Sequence, residues 1–456
     1  MWFKVTSKDL NGNSRFHFYN NMNHVIKDEN NEIINLKDDP RLKEFIKENT
    51  FKARQIQYKQ QKVKHLRIQL GLNCNFSCKY CHQAQCKEVF LNSSNKVSLP
   101  PEITIRNFIK MLKDNNIEVT ERINLWGGEP LVYWKYIKLL VPELVELYPG
   151  IRICVITNGS LLNDEIINFF IKYRISLTIS HDAQGFNAYR DDEDPLDNPK
   201  ILKCIHTYLD ASEEANRIWF ALSQEERNKT ETKAKLQPFG FSFNVVITPA
   251  NLDIDKIPGF FYLKLNRDTI FHFESMVKAS KSTIDVMGTL SDEQKTFITN
   301  KIFKNALVNS TRPKENPFYS LREYVGTLLY LFVNNVNSLE REVICDVASN
   351  RNLAIDLQGN ILACHGADAE RWTIGHISKV TEAINYKVIP WMKRPHCPTC
   401  PFVGNCGGGC VIASDEDSQS MCEYVKVYHG ALFAAAWFTI FNSMIERIEP
   451  CPEMEE

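Results

Sequence analysis

The sequence has no long uninterrupted apolar run and no excess of charge of either sign. Its most apolar stretch, residues 430–445, is about 16 residues long and broken by polar side chains, whereas a bilayer span needs roughly 20. The 54 Lys and Arg are balanced by 55 Asp and Glu, so nothing favours a basic nucleic-acid-binding surface. The first residues also lack the apolar core of a secretory signal. We therefore expect a cytoplasmic protein that binds neither a membrane nor nucleic acid.

Cysteine is the residue type that the sequence has in unusual number and arrangement. There are 14 cysteines, and ten of them fall into two groups along the chain. Disulfides are disfavoured in a reducing compartment, so clustered cysteines there indicate metal or redox chemistry. The length of 456 residues predicts two or three domains rather than one core.

Residues 61–285 alternate between short apolar runs typical of strands and amphipathic runs typical of helices. This alternation predicts an α/β fold with a parallel sheet and helical crossovers. Six such units predict a partial (β/α)6 barrel similar to a TIM barrel, with functional residues where strands end. The expected strands are 65–70, 122–126, 151–157, 176–180, 241–247 and 270–275, and the expected helices include 104–114, 136–148, 164–173 and 201–211.

The remaining chain suggests three further segments. Residues 1–60 form an N-terminal, β-containing segment that is either an adaptor or an edge of the next domain, with a helix expected over 41–49. Residues 286–340 are predicted to be a helical connection. Residues 341–456 are rich in cysteine, glycine and proline, and their last part, 425–448, is predicted to be helical. Short strands are expected at 2–5, 16–19 and 32–36.

The first cysteine group follows the first barrel strand and has the spacing Cys-x3-Cys-x2-Cys, formed by Cys74, Cys78 and Cys81. Three thiolates on one tight loop can ligate three irons of a four-iron cluster, which leaves the fourth iron open to a small molecule. A structural zinc site with His82 as fourth ligand, or reduced buried thiols, remain alternatives on spacing alone.

This loop resembles the signature of the radical S-adenosylmethionine (SAM) superfamily, in which an aromatic residue such as Tyr80 precedes the third cysteine. The run of Gly127, Gly128, Glu129 and Pro130 after the second strand resembles the family's GGEP motif. The resemblance implies a [4Fe-4S] cluster whose open iron binds SAM, with Tyr80 near the adenine. Glu129 offers an acceptor for the SAM ammonium, and the glycines allow close approach to a ligand.

Four polar residues at later strand ends also match the family. Asn158, after the third strand, corresponds to a position that shapes the SAM pocket, although Asn-Gly is first a turn signal. Ser180 and Asp182 follow the fourth strand, and the resemblance implies that Asp182 holds the ribose hydroxyls. Arg190 matches a family arginine near the SAM carboxylate.

Other polar residues near these motifs have simpler interpretations. His181 is predicted to be a packing residue, and the acidic run 191–194 is predicted to be a solvated loop. Cys154 and Cys204 lie within an expected strand and helix and are predicted to be buried thiols.

The second cysteine group lies in the C-terminal region. One or two zinc sites would explain pairs of cysteines two residues apart, and on spacing alone zinc and iron–sulfur remain open. The seven cysteines are Cys345, Cys364, Cys397, Cys400, Cys406, Cys410 and Cys422.

This arrangement resembles the SPASM domain, which binds one or two auxiliary [4Fe-4S] clusters. Some family members have an extra cysteine just before the position of Cys345, and this sequence has none there. The inner cluster therefore has either an open iron or a non-cysteine ligand such as Asp346 or His365. The resemblance assigns Cys397, Cys400, Cys406 and Cys422 to an outer cluster and Cys345, Cys364 and Cys410 to the inner one.

The resemblance implies a radical SAM oxidoreductase that cleaves SAM reductively to a 5′-deoxyadenosyl radical, with flavodoxin or ferredoxin as electron donor. Enzymes with this domain pair modify peptides or proteins, so we expect a maturase of a ribosomal peptide that forms a crosslink. The alternatives are a sulfatase-type formylglycine maturase and an enzyme that modifies a metabolite or nucleotide. A different class is an iron–sulfur electron-transfer or binding protein without SAM chemistry.

Overall fold

The computed structural model describes residues 1–45, 61–81, 83, 99–190, 193–274, 288–308, 316–338, 351–364, 366–367, 369–380, 391–410 and 413–454. The strands are β1 (Trp2–Asp9), β2 (Ser14–Asn20), β3 (Ile26–Lys27), β4 (Lys62–Gln69), β5 (Glu118–Trp126), β6 (Arg152–Thr157), β7 (Ser176–Ser180), β8 (Phe241–Val246), β9 (Phe271–Glu274), β10 (Asn352–Asp356), β11 (Asn360–Leu362), β12 (Thr373–His376) and β13 (Ser443–Pro450). The helices are α1 (Pro101–Asp114), α2 (Trp134–Leu147), α3 (Asp164–Lys172), α4 (Phe186–Tyr189), α5 (Pro199–Ala221), α6 (Gln224–Asn228), α7 (Thr230–Leu236), α8 (Ile257–Leu265), α9 (Asp292–Ala306), α10 (Tyr319–Asn334), α11 (Ala369–Trp372), α12 (Val403–Cys406) and α13 (Asp415–Phe441).

The larger sheet contains the six predicted strands, β4 to β9, side by side in sequence order and parallel. Alternate residues of these strands, such as Ile123, Val155 and Leu177, are fully buried in the main core. Helices α1, α2, α3 and α5 connect successive strands, as expected for parallel pairs. The predicted α/β class with a parallel sheet is confirmed.

The sheet extends beyond the six strands, because β10 pairs in parallel with the free side of β4. All five residues of β10 are buried, so its sequence lacks the alternation that marks a half-exposed strand. Strand β11 pairs antiparallel with β10, and β12 pairs antiparallel with β11, which gives nine strands in the order β12-β11-β10-β4-β5-β6-β7-β8-β9. The C-terminal part of the chain is therefore joined to the barrel through backbone hydrogen bonds.

A second, four-stranded sheet joins the two ends of the described chain in the order β13-β1-β2-β3. The predicted helix over 425–448 is wrong at its end, because α13 stops at Phe441 and Asn442 adopts a left-handed backbone (φ 51°). The strand expected at 32–36 is also wrong, since Ile33 makes only an isolated bridge. Of the expected helix 41–49, the structure describes a 3-10 helix, Pro40–Phe45.

Helix α13 contains the most apolar stretch of the sequence. Its side chains Leu432, Phe433 and Trp437 are buried in the main core. It packs on α9 and α10, which are the two helices described within residues 286–340. Within the described residues, no helix is long and apolar enough to cross a bilayer.

The attachment of β10 to the barrel is tested by truncating Ile355, which is fully buried and stands opposite Ile68. We expect Ile355→Ala to lower the free energy of unfolding by about 2–5 kcal/mol, because it leaves a cavity inside the sheet. Denaturant unfolding measures this change. The control Leu263→Ala removes a side chain that is 85% exposed, and we expect a change within about 0.5 kcal/mol. Equal effects of the two substitutions would show that β10 is not packed as described.

Candidate active site

The loop with the first three cysteines lies against the Gly-Gly-Glu loop that follows β5. The amide of Gly128 donates to the carbonyl of Gly71 (2.9 Å), and the amide of Glu129 donates to the carbonyl of Asn73 (2.9 Å). A Cβ on Gly127 would collide with the carbonyl of Gly71, and one on Gly128 would lie 2.5 Å from the carbonyl oxygen of Asn73. The contact between the two loops therefore requires both glycines. The sequence analysis expected the glycines to allow a ligand to approach closely, whereas in the structure they allow two backbone loops to do so.

The carboxylate of Glu129 connects the loops after β5 and β6. One oxygen accepts hydrogen bonds from the Leu131 amide (2.9 Å) and the Thr157 hydroxyl (2.6 Å), and the other accepts from the Asn158 amide (2.7 Å). Burial raises the pKa of Glu129, although these three hydrogen bonds oppose that rise. In the described structure Glu129 fixes the relative position of two strand ends, and its predicted contact with the SAM ammonium remains a prediction.

Asn158 links the third strand end to the cysteine loop. Its side-chain amide donates to Asn75 (3.0 Å), which in turn donates to the Ser160 hydroxyl (2.8 Å). The side-chain oxygen Oδ1 of Asn158 accepts from the Ser160 amide (2.9 Å) in a local turn. Asn158 therefore forms the turn that Asn-Gly predicts and also contacts the cysteine loop.

The thiols of Cys74, Cys78 and Cys81 are half-buried on this loop, and the amide of Cys81 donates to the carbonyl of Cys78 (3.1 Å). The three groups are close enough for the charges of Cys74 and Cys81 to act on Cys78. Burial raises the pKa of Cys78 to about 11, and Arg190 opposes that rise. Among the described residues, no group of three or more His, Cys, Asp or Glu converges on one point as the ligands of a single metal ion would. Three soft thiol donors on one loop suit three corners of an iron–sulfur cluster.

Asp182 and Arg190 form a buried ion pair next to the cysteine loop. The Arg190 guanidinium donates to both carboxylate oxygens (2.9 and 3.2 Å), and the Tyr80 hydroxyl donates to one of them. Burial works against the charge of Arg190, but the carboxylate of Asp182 outweighs it and raises the pKa of Arg190. Removing one partner of such a pair costs about 3–5 kcal/mol. The structure thus brings together three residues that the sequence predicted separately.

The prediction that residues 191–194 form a solvated loop is wrong for Asp194. Asp194 is buried and accepts a hydrogen bond from Nε2 of His181 (2.8 Å), while Nδ1 of His181 accepts from the Ala183 amide (3.0 Å). His181 also stacks on Phe186, with ring centroids 4.5 Å apart, so the predicted packing role is confirmed. Ser180 ends β7 opposite Asn244 and is half-buried.

Two residues that the sequence analysis missed support this site. The Tyr133 hydroxyl accepts from the Asn73 amide (2.8 Å) and fills the space beside Gly71. The Asn251 side chain donates to the carbonyls of Asp182 (3.0 Å) and Val246 (2.9 Å). Neither belongs to a cysteine or glycine motif, and no local pattern in the sequence singled out Asn251, which lies five residues after the end of β8.

The face of the sheet opposite the main core carries polar side chains, because residues alternate between the two faces. Arg122 on β5 acts electrostatically on His272 on β9, four strand positions away in the sheet. His272 hydrogen-bonds through Nδ1 to the Tyr319 hydroxyl (2.5 Å), and burial lowers its pKa.

Four cysteines of the second group line one small cavity: Cys397, Cys400, Cys406 and Cys422. Burial raises the pKa of Cys397 and Cys406 to about 12. The side-chain amide of Asn21 donates to the carbonyls of Pro398 (3.0 Å) and Cys400 (2.9 Å) and holds this loop. Cys364 and Cys410 do not line the cavity, and Cys345 lies outside the described residues.

Comparisons with known proteins agree with this geometry. Residues 68–216 match the sequence profile of the Radical SAM superfamily. A radical SAM cyclopropyl synthase, TigE, from Paramaledivibacter caminithermalis is 21% identical over 378 residues, which are 78% of this chain and 69% of that protein. A GTP 3′,8-cyclase from Clostridium perfringens is 28% identical over 23% of this chain and 30% of its own length.

Solved structures show the same fold at low sequence identity. Native anSMEcpe with bound AdoMet matches with a TM-score of 0.54 and 15% identity, covering 83% of this chain and 98% of that one. The same protein with bound AdoMet and the Cp18Cys peptide matches with a TM-score of 0.50 and 15% identity, covering 82% and 98%.

Fold and site define an α/β protein with a three-cysteine loop at the carboxyl end of a parallel sheet. Residues 68–216 form a radical SAM domain. The radical SAM superfamily uses a [4Fe-4S] cluster and S-adenosylmethionine, and the three-cysteine loop lies within the matched residues.

The loop contact is tested by adding one methyl group at Gly128. We expect Gly128→Ala to lower the iron bound after reconstitution several-fold, because the new Cβ meets backbone carbonyls that cannot move independently. Iron and sulfide assays measure the loss. Gly259→Ala is the control, since nothing lies within 4 Å of its Cβ and alanine favours the helix by about 1 kcal/mol. Full iron loading of Gly128→Ala would contradict the described loop contact.

Proposed function

We propose that this radical SAM enzyme abstracts a hydrogen from a peptide or protein side chain and that an auxiliary [4Fe-4S] cluster takes part. The observation that carries the proposal is the placement of Cys397, Cys400, Cys406 and Cys422 around one cavity. Four thiols around one space suit a cluster with a complete protein ligand set. A protein that only cleaved SAM would not need this second set.

The cysteine loop, with Cys74, Cys78 and Cys81, is the proposed holder of the SAM-cleaving cluster. When bound, cluster and SAM supply a 5′-deoxyadenosyl radical that removes a hydrogen atom from an unactivated carbon. The buried Asp182–Arg190 pair and Glu129 keep the strand ends around the site in a fixed geometry and exclude water. The residues proposed to surround SAM are Tyr80, Gly127, Gly128, Glu129, Asn158, Ser180, Asp182 and Arg190.

A peptide substrate is supported by the fold shared with a protein solved with a bound peptide. Bond formation within that peptide is supported by the similarity to a cyclopropyl synthase over most of the chain. Closing a crosslink or ring removes two hydrogen atoms from the substrate. One leaves with the deoxyadenosyl group, and the other leaves as a proton and an electron. The auxiliary clusters are the proposed electron acceptors.

The C-terminal region from residue 341 is the proposed SPASM domain, with Cys345, Cys364 and Cys410 as ligands of an inner cluster. Its fourth ligand is either absent or a non-cysteine residue. Reduced thiols in both groups suit the cytoplasm, where flavodoxin or ferredoxin can donate the electron for SAM cleavage.

The proposal is tested by anaerobic reconstitution and incubation with SAM, dithionite and candidate peptides. We expect Cys78→Ala to abolish 5′-deoxyadenosine, because one corner of the SAM-cleaving cluster loses its ligand. We expect Cys406→Ala to retain some 5′-deoxyadenosine but lose the oxidised peptide. Chromatography with mass spectrometry measures both products.

Cys204→Ala is the matched control, because this buried thiol lies on α5 outside both cysteine groups. It should retain both products. Full peptide product from Cys406→Ala would remove the auxiliary cluster from the reaction. Absence of 5′-deoxyadenosine from fully loaded wild-type enzyme, at every peptide concentration, would contradict SAM cleavage.

A further inference from the structure

A buried cation, Arg394, lies beside the second cysteine group. The Arg394 side chain is 1% exposed, and its guanidinium donates to the carbonyls of Cys410 (3.0 Å), Ala413 (3.1 Å) and Ser414 (3.4 Å). Within the described residues, no Asp or Glu forms an ion pair with it. Burying an uncompensated charge is costly, so a buried arginine normally has an anion nearby.

The groups that can become this anion are the cysteines of the cavity. The charge of Arg394 acts on Cys397 and Cys422. Lys426, one helical turn after Cys422 on α13, lines the same cavity and acts on Cys397, Cys400 and Cys422. No acidic residue is among the described residues that line it.

We infer that Arg394 and Lys426 are the counter-charges of the auxiliary cluster and set its reduction potential. This inference rests on the proposed function, because it requires a cluster on Cys397, Cys400, Cys406 and Cys422. Four thiolates make the site anionic, and reduction adds one further negative charge. Nearby cations stabilise the reduced form more than the oxidised form and raise the potential. An easily reduced cluster is suited to accept the electron of a substrate radical.

A purely structural role is the competing explanation for Arg394, since its hydrogen bonds hold the backbone of Cys410, Ala413 and Ser414. Lys426 separates the two explanations. It is an exposed side chain on the long helix and makes no such carbonyl contacts, yet it acts on three of the four thiols. A change at Lys426 therefore alters the charge at the site with little effect on the fold.

The test is a redox titration monitored by electron paramagnetic resonance, on full-length protein in which Cys74, Cys78 and Cys81 are replaced by alanine. The titration follows the part of the spectrum that disappears when Cys406→Ala is added to this protein. We expect Lys426→Gln to lower the reduced-to-oxidised ratio at a fixed potential about tenfold, which corresponds to about 59 mV for a one-electron couple. Arg394→Gln should lower the reduction potential as well. The charge-conserving variants Lys426→Arg and Arg394→Lys should keep the potential of the parent protein.

Lys393→Gln is the matched control, because it removes an exposed charge next to Arg394 that is not among those acting on the thiols. The reduction potential of this variant should equal that of the parent protein. If the parent protein lacks the Cys406-dependent signal, the auxiliary cluster of the proposed function fails, and the inference with it. If the signal is present and Lys426→Gln leaves its potential unchanged, only the inference is overturned. Should Arg394→Gln not fold, the Lys426 variants decide the question.

Discussion

The close contact between two backbone loops is the constraint on which the active site depends. The cysteine loop and the Gly-Gly-Glu loop follow adjacent parallel strands and meet with no side chain between them. This contact is possible only because Gly127 and Gly128 lack a Cβ. It fixes the height of the cysteine loop above the sheet and, through Glu129, the position of the next strand end as well.

Buried charges then hold the rest of the site in place. Glu129 receives hydrogen bonds from two loops, and Asp182 receives them from Arg190, Tyr80 and the amide of Val246 (3.3 Å). Such networks are stable only when every member is satisfied, so each defines one arrangement of the strands. The residues that resemble SAM ligands therefore also build the framework into which SAM must fit.

The sequence predicted the features that depend on local patterns and missed those that depend on distant partners. The strands β4 to β9 and the cysteine loop follow from alternation and spacing within short windows. Strand β10 was missed because burial on all sides removes its alternation. Strand β13 was missed because its eight residues follow an apolar helix and pair with β1 at the opposite end of the chain. Asp194 was misassigned because a buried histidine partner, His181, gives no sequence signal.

The pairing of the two chain ends has a consequence for the second cysteine group. The turn after β2 lies on the loop around Cys400: Asn21 donates to its backbone, and His24 occupies the space beside Gly404. Nδ1 of His24 also bonds the carbonyl of Val336 (2.6 Å), just before the segment that contains Cys345. One short N-terminal turn thus contacts both the cysteine cavity and the connection from α10. The four thiols can keep a fixed geometry because the terminal sheet, β13-β1-β2-β3, holds that turn against them.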